Sequence, residues 1–185
     1  MGSRLPAWVQ KDSTTSSALA LWHALCEDAY FSEAPFKVET NVQGQIIMSP
    51  AGWSHGAYQF EIQMQLKRFS DAAGVKGRII PECAVLTSDG VKVPDVAWVT
   101  AEKIKSNQDQ LVITSGPQIC VEVLSASNSA PEMARKTALY FEAGSSEVWL
   151  CGTGGEMTFL DPAGERESSA IFPAFPKTIV LEELG

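Results

Sequence analysis

The sequence predicts an α/β fold, a mixed β-sheet flanked by helices, and three observations predict it. Segments with helical and strand-like spacing succeed one another in the order helix, hairpin, buried strand, helix, strand. The segment QICVEVLS at 118–125 is an almost unbroken apolar run, as expected of a strand covered on both faces. The chain has 185 residues, 45% of them apolar and 19% charged, which suits a single core and argues against disorder. One domain over residues 1–185 is therefore expected, with residues 1–15 as a loosely packed N-terminal segment.

The elements follow in order. Over residues 16–30, Ala18, Leu21, Trp22, Leu25 and Ala29 recur at helical spacing behind a serine cap. FKVETNVQGQIIMSP reads as two strands about a tight turn at Gly44. From Ser54 to Ala73, one face carries Tyr58, Ile62, Leu66, Phe69 and Ala73, and Gly74 is placed to stop the helix. GRIIPECAVL, the turn TSDG and VKVPDVAWV form a hairpin of half-buried strands. TAEKIKSNQDQ is an exposed loop or short helix. Pro131 opens a helix that runs through Ala143 to the stop signal Gly144, and EVWLC supplies another strand.

Composition narrows the function. No uncharged apolar run approaches the roughly 20 residues needed to cross a bilayer, and the first residues lack the apolar centre of a secretory signal, so a cytoplasmic protein without membrane contact is expected. Cys26, Cys83, Cys120 and Cys151 are too far apart for a zinc knuckle, and three of them sit in apolar strand-like segments as small hydrophobes. The net charge of -8 disfavours a polyanion partner. Its distribution softens that objection: residues 142–185 carry eight acids against two bases, whereas residues 1–141 carry fourteen acids and twelve bases. No glycine-rich phosphate loop is present. Trp98 and Trp149 fall within strands and are expected in the core.

Glu122 is the informative residue. A carboxylate in the middle of an apolar strand must be compensated by a cation, a basic side chain or backbone donors, and it reads equally as a structural ion pair or a catalytic acid. Asp95 follows Pro94, which alone indicates a turn, yet it also opens the apolar strand DVAWV, suited to lie beside VEVL. If the TSDG turn has two residues, facing positions sum to 177 or 179; in either register Glu82 shares a face with Asp95, and a hard cation would convert their repulsion into ligation. Lys136 lies in the helix after the Glu122 strand. Its spacing from Glu132 and Tyr140 suits a surface ion pair, while a helix packed back over that strand would bring its ammonium to the acids.

Taken together, PD at 94–95, EVLS at 122–125, K-x-x-x-Y at 136–140, AGSSEVWL at 143–150 and the late FPAFPKTIVLEEL resemble the PD-(D/E)XK restriction-endonuclease-like superfamily. More narrowly, the chain is similar to a bacterial branch of restriction-endonuclease-like proteins of unknown function, from Glu39 in VETNVQGQIIMSP through His55 to Leu184. The resemblance implies a restriction-endonuclease-like sandwich with an additional N-terminal helix and β-hairpin. It implies that Asp95 and Glu122 are the paired metal-binding acids, to which the hairpin parity adds Glu82 as a further ligand. The superfamily's usual lysine, two residues after the glutamate, is Leu124 here, and Lys136 in the next helix takes its place. The proline that the branch places after EVLS is Ala126. His55 is matched in the branch and suits helix capping or packing equally; Glu61, six residues on, projects elsewhere on the helix.

The resulting expectation is a Mg²⁺-dependent nuclease, with Mn²⁺ as substitute, that hydrolyses phosphodiester bonds in DNA through catalytic Asp95, Glu122 and Lys136. Many nucleases cut two strands by pairing subunits, so the analogy also implies a homodimer. Two rivals share the same acids: a nuclease-fold module that binds or assembles without cutting, which suits the acidic balance, and a metal-dependent hydrolase of a small phosphorylated compound.

Overall fold

A computed structural model describes residues 15–33, 35–50, 52–108 and 110–181. The expected N-terminal segment lies almost wholly outside the described residues, as do the final four residues. The described chain begins with helix α1 (Thr15–Glu27) and a short α2 (Ala29–Ser32), followed by β1 (Phe36–Thr40) and β2 (Ile46–Pro50). Next come the long helix α3 (Trp53–Ala72), β3 (Gly77–Pro81), β4 (Val85–Thr87), β5 (Gly90–Lys92) and β6 (Val96–Thr100). After α4 (Ala101–Ser106) the order is β7 (Ile119–Val123), α5 (Ala130–Glu142), β8 (Glu147–Cys151), β9 (Met157–Asp161) and β10 (Gly164–Arg166).

Six strands form a mixed sheet in the order β10-β9-β8-β7-β6-β3. All neighbours are antiparallel except β7 and β8. That parallel pair requires a crossover, which α5 provides. Strand alternation divides the sheet cleanly. Val96, Trp98, Ile119, Val121 and Trp149 point to the side covered by Ile62 and Leu66 of α3. Ala97, Val99, Cys120 and Val148 point to the other side, against Tyr140 of α5. Glu122 has the parity of Cys120 and so belongs to the α5 side.

Most expected elements form at their expected places. The α3 face of Ile62 and Leu66 is fully buried, with Tyr58 and Phe69 packed beside it. Gly74 takes a left-handed φ of 63° after α3, and Gly144 one of 95° after α5, conformations that glycine adopts without strain. Pro131 sits in the first turn of α5, where Ser129 and Glu132 form a reciprocal capping box. Trp98 and Trp149 are core residues, as are Cys83, Cys120 and Cys151.

Three departures have physical causes. The first helix breaks at Asp28, whose carboxylate accepts from the Tyr30 N–H and starts α2. The 77–99 hairpin is split in two: β3 pairs with β6 in the main sheet, and β4 with β5 in a separate ribbon. Both ladders keep the same register, with facing positions summing to 177, but Glu82 adopts φ 48° and Pro94 has no N–H to give. β4 turns away, and the irregular segment at Ile113 bonds to it. Strands β9 and β10 extend the sheet in a region without strong alternation. The irregular tail after them supplies Phe172, Phe175 and Ile179 to the core.

Candidate active site

Asp95 lies at the split in the hairpin. It occupies the gap before β6, beside the end of β7, and is only 2% accessible. Its Oδ2 accepts the Val123 N–H at 2.7 Å, so the side chain, not a ladder carbonyl, completes the pairing at the β7 end. Gln59 of α3 donates to the Asp95 carbonyl at 2.7 Å and fixes the backbone. The other carboxylate oxygen, Oδ1, faces His55 Nε2 at 3.2 Å and Lys37 Nζ at 2.6 Å.

Glu122, 3% accessible, projects from β7 on the α5 side. Tyr140 donates its hydroxyl to Oε1 at 2.6 Å, and Lys136 approaches the same oxygen at 2.9 Å. Lys136 and Tyr140, four residues apart on α5, therefore grip one carboxylate from one helix face. Lys136 also reaches Glu39 Oε1 at 2.8 Å, and that oxygen accepts the Val93 N–H at 2.6 Å. Lys37 closes the array by lying 3.5 Å from Glu122 Oε2 while it contacts Asp95.

Three carboxylates and two ammonium groups thus share a largely buried space. Burial presses the Glu122 carboxyl upwards in pKa, and although Lys136 and Lys37 oppose the rise, Asp95 and Glu39 add to it; the net direction is up. Burial also presses Asp95 upwards, but the His55 hydrogen bond and the Lys37 charge outweigh it and hold the group far below the usual carboxylate range. Burial disfavours both ammonium groups, yet Glu122 foremost, with Asp95 and Glu39 on Lys37 and Glu39 on Lys136, keeps each above its ordinary value. Asp95 and Glu122 are therefore shifted in opposite directions, Asp95 down and Glu122 up.

These groups line a cleft of about 640 Å³ under the β1–β2 hairpin. Ser125, Ser127 and Asn128, in the turn between β7 and α5, form part of its wall. Arg135 and Lys92, both paired with Asp89, lie on its other flank. Glu82 also lines the cleft, and its N–H donates to the Asp95 carbonyl at 3.2 Å. Glu61 accepts from Gln65 one turn on, as expected of a residue that faces away from His55.

The sequence reading thus names Asp95, Glu122 and Lys136, which the fold brings together, and Glu82, which lines the same cleft without joining a three-acid cluster among the described residues. His55 pairs with Asp95; the helix start itself is Gly52, which has no side chain to cap with. Lys37 is missed, and so is the role of Glu39, which enters the sequence reading only as the start of a motif. Their one signal is that FKVET places Lys37 and Glu39 two apart, on one face of a strand otherwise suited to burial.

Among the described residues, no three His, Cys, Asp or Glu side chains gather into a ready metal cage. Two carboxylates that share one ammonium nevertheless suit Mg²⁺, which is commonly held through one or two carboxylates and keeps its other positions for water.

Comparisons with known proteins bear on this geometry. A family model described as "Putative restriction endonuclease", Uma2, matches residues 22–179. None of the curated proteins matches the chain. Among solved structures, a "putative nuclease belonging to DUF820" from Anabaena variabilis is similar at a TM-score of 0.63 and 18% identity, over 77% of this chain and 87% of that one. At that identity the likeness is one of fold.

Proposed function

The chain belongs to the Uma2 family, and on that premise we propose that it is a Mg²⁺-dependent nuclease that hydrolyses phosphodiester bonds in DNA. The observation that carries this reading is the convergence of Asp95 and Glu122, from neighbouring strand ends, on one shared ammonium at the floor of a cleft. Burying two acids side by side is costly unless a cation belongs with them.

In this reading Asp95 and Glu122 hold Mg²⁺, or Mn²⁺ in its place, with Glu82 contributing from the cleft wall. The bound ion supplies neutralisation of phosphoryl charge and a water of lowered pKa. Val123 N–H and His55 fix the orientation of Asp95, and Tyr140 fixes Glu122, so neither acid has to reorganise when substrate arrives. Lys136 keeps its proton at Nζ and presents it beside Glu122, where it orients the attacking water and adds positive charge opposite the phosphate. The turn that carries Ser125 and Ser127 forms part of the cleft wall that the phosphate backbone would cross.

The test is cleavage of end-labelled DNA in Mg²⁺ or Mn²⁺ by the wild-type protein and by Asp95→Ala and Glu122→Ala. Cutting by the wild type and loss of at least about a hundredfold in each variant is expected; equal cutting by all three rejects the assignment. The net charge of -8 favours one competing reading, that of a nuclease-fold module that binds without cutting. It predicts no cleavage and no Mn²⁺ uptake that Glu122→Gln abolishes.

A further inference from the structure

Lys37 stands where a shared cation would stand. Its Nζ contacts Asp95 Oδ1 at 2.6 Å and lies 3.5 Å from Glu122 Oε2, so one ammonium neutralises both acids at once. The two acids come from the central sheet, whereas Lys37 comes from β1, which pairs only with β2 in a separate ribbon. Its side chain, 13% accessible, borders the cleft, so the ammonium has water to withdraw into. The neighbouring contacts of β1 do not depend on it: Glu39 is held by Val93 N–H and Lys136, and the Thr40 carbonyl by Lys92.

We propose that Lys37 is a built-in counter-ion that competes with the divalent metal for the Asp95–Glu122 pair, so that metal loading is an exchange of one cation for another. The inference rests on the metal reading above and specifies how that site is regulated. A Mg²⁺ ion bonded at about 2.1 Å to the oxygen that Lys37 touches would lie within about 5 Å of the ammonium, with little water between to screen the repulsion. Lys37 would therefore have to withdraw its ammonium for a metal to be held by the pair. The exchange has two consequences: the acid pair is never left uncompensated when the metal is absent, and a positive group is released into the cleft when the metal is present. The cleft becomes more favourable to an anionic substrate only after the ion has loaded.

Calorimetric titration of the metal-free full-length protein with Mn²⁺ tests the exchange without recourse to activity. The proteins compared are wild type, Lys37→Met, Lys37→Arg and Arg135→Met; Arg135 lines the same cleft but pairs with Asp89, and controls for a mere loss of positive charge. Lys37→Met is expected to bind Mn²⁺ about tenfold tighter or more, with Lys37→Arg and Arg135→Met close to wild type. Thermal melts supply an independent reading: Lys37→Met should melt lower than wild type without metal and recover when Mn²⁺ is added. If Lys37→Met binds no tighter than wild type, or Arg135→Met gains as much, the exchange is refuted while the metal site stands. If neither wild type nor Lys37→Met takes up Mn²⁺, the metal reading fails and the exchange fails with it.

Discussion

Tyr140 and Glu122 are joined by a 2.6 Å hydrogen bond between a helix and the central strand it crosses back over, with neither group open to solvent. Burial first, and then the Glu122 charge, keep the Tyr140 hydroxyl protonated far above its ordinary range, so it acts as a permanent donor. Tyr140→Phe removes the donor, keeps the ring, and leaves Glu122 Oε1 with Lys136 alone. The expected loss is about 1.5–3 kcal/mol of stability, the range for a hydrogen bond to a charged group. Urea denaturation of the two proteins measures it, and an unchanged midpoint would show that the bond contributes nothing net.

Lys136 neutralises two carboxylates on two different elements, Glu39 of β1 and Glu122 of β7. Lys136→Met strands both in a low-dielectric setting and is expected to cost about 3–5 kcal/mol. Adding Glu39→Gln to that background should restore part of the loss, because one of the stranded charges is removed. A double-mutant cycle measures the coupling; strictly additive losses would show that Lys136 and Glu39 do not act as a pair.

How much of this site is legible in the sequence depends on how local its causes are. Glu122 stands out because one charge interrupts an apolar run, and Lys136 because its helix follows that strand directly. The parity of β3 and β6 is legible from the turn, since a two-residue turn leaves only the sums 177 and 179, of which the fold takes 177. Lys37 and Glu39 are not legible in that way. They lie 58 and 54 residues from Asp95 and Val93, and nothing in FKVET says which distant carboxylate or amide its charges will meet. The C-terminal tail is obscure for a related reason: Phe172 and Phe175 are buried by packing on Trp98 and Trp149, not by any periodicity of their own.

Glu147 explains how that irregular tail is held. At the start of β8, its Oε1 accepts the Ala170 and Ile171 N–H groups at 2.8 and 2.9 Å, and Oε2 accepts the Trp149 indole N–H at 2.6 Å. Glu147→Leu keeps the bulk and removes the acceptor of all three donors, of which the buried Trp149 indole N–H is orphaned, while the Ile171 N–H retains Ser169 Oγ. The expected outcome is a loss of about 1–3 kcal/mol, the cost of one buried donor left unsatisfied. Local loosening of residues 169–175 should accompany it, read as faster amide hydrogen exchange there than in β6 and β7. Uniform acceleration over all strands would mean that the tail unfolds only with the whole domain.

Asp95 and Glu122 are tuned in opposite directions, and acid stability should show both signs. Asp95 titrates in the folded protein far below the ordinary carboxylate value of about 3.9. Its stabilising contribution is therefore fully present above that pH, and is lost as pH falls below it, because the unfolded chain takes up the proton first. Glu122 titrates above its ordinary value of about 4.3 in the folded protein. Acidification through its raised folded value towards 4.3 therefore favours the folded state, which takes up the proton before the unfolded chain does. The wild-type stability curve should accordingly be held up in the weakly acidic range and fall more steeply below about pH 4. Asp95→Asn should flatten the fall below pH 4, whereas Glu122→Gln should remove the weakly acidic support and leave the fall in place. Urea midpoints from pH 3 to 7 for the three proteins decide it: parallel curves would show that neither carboxylate changes its proton affinity on folding.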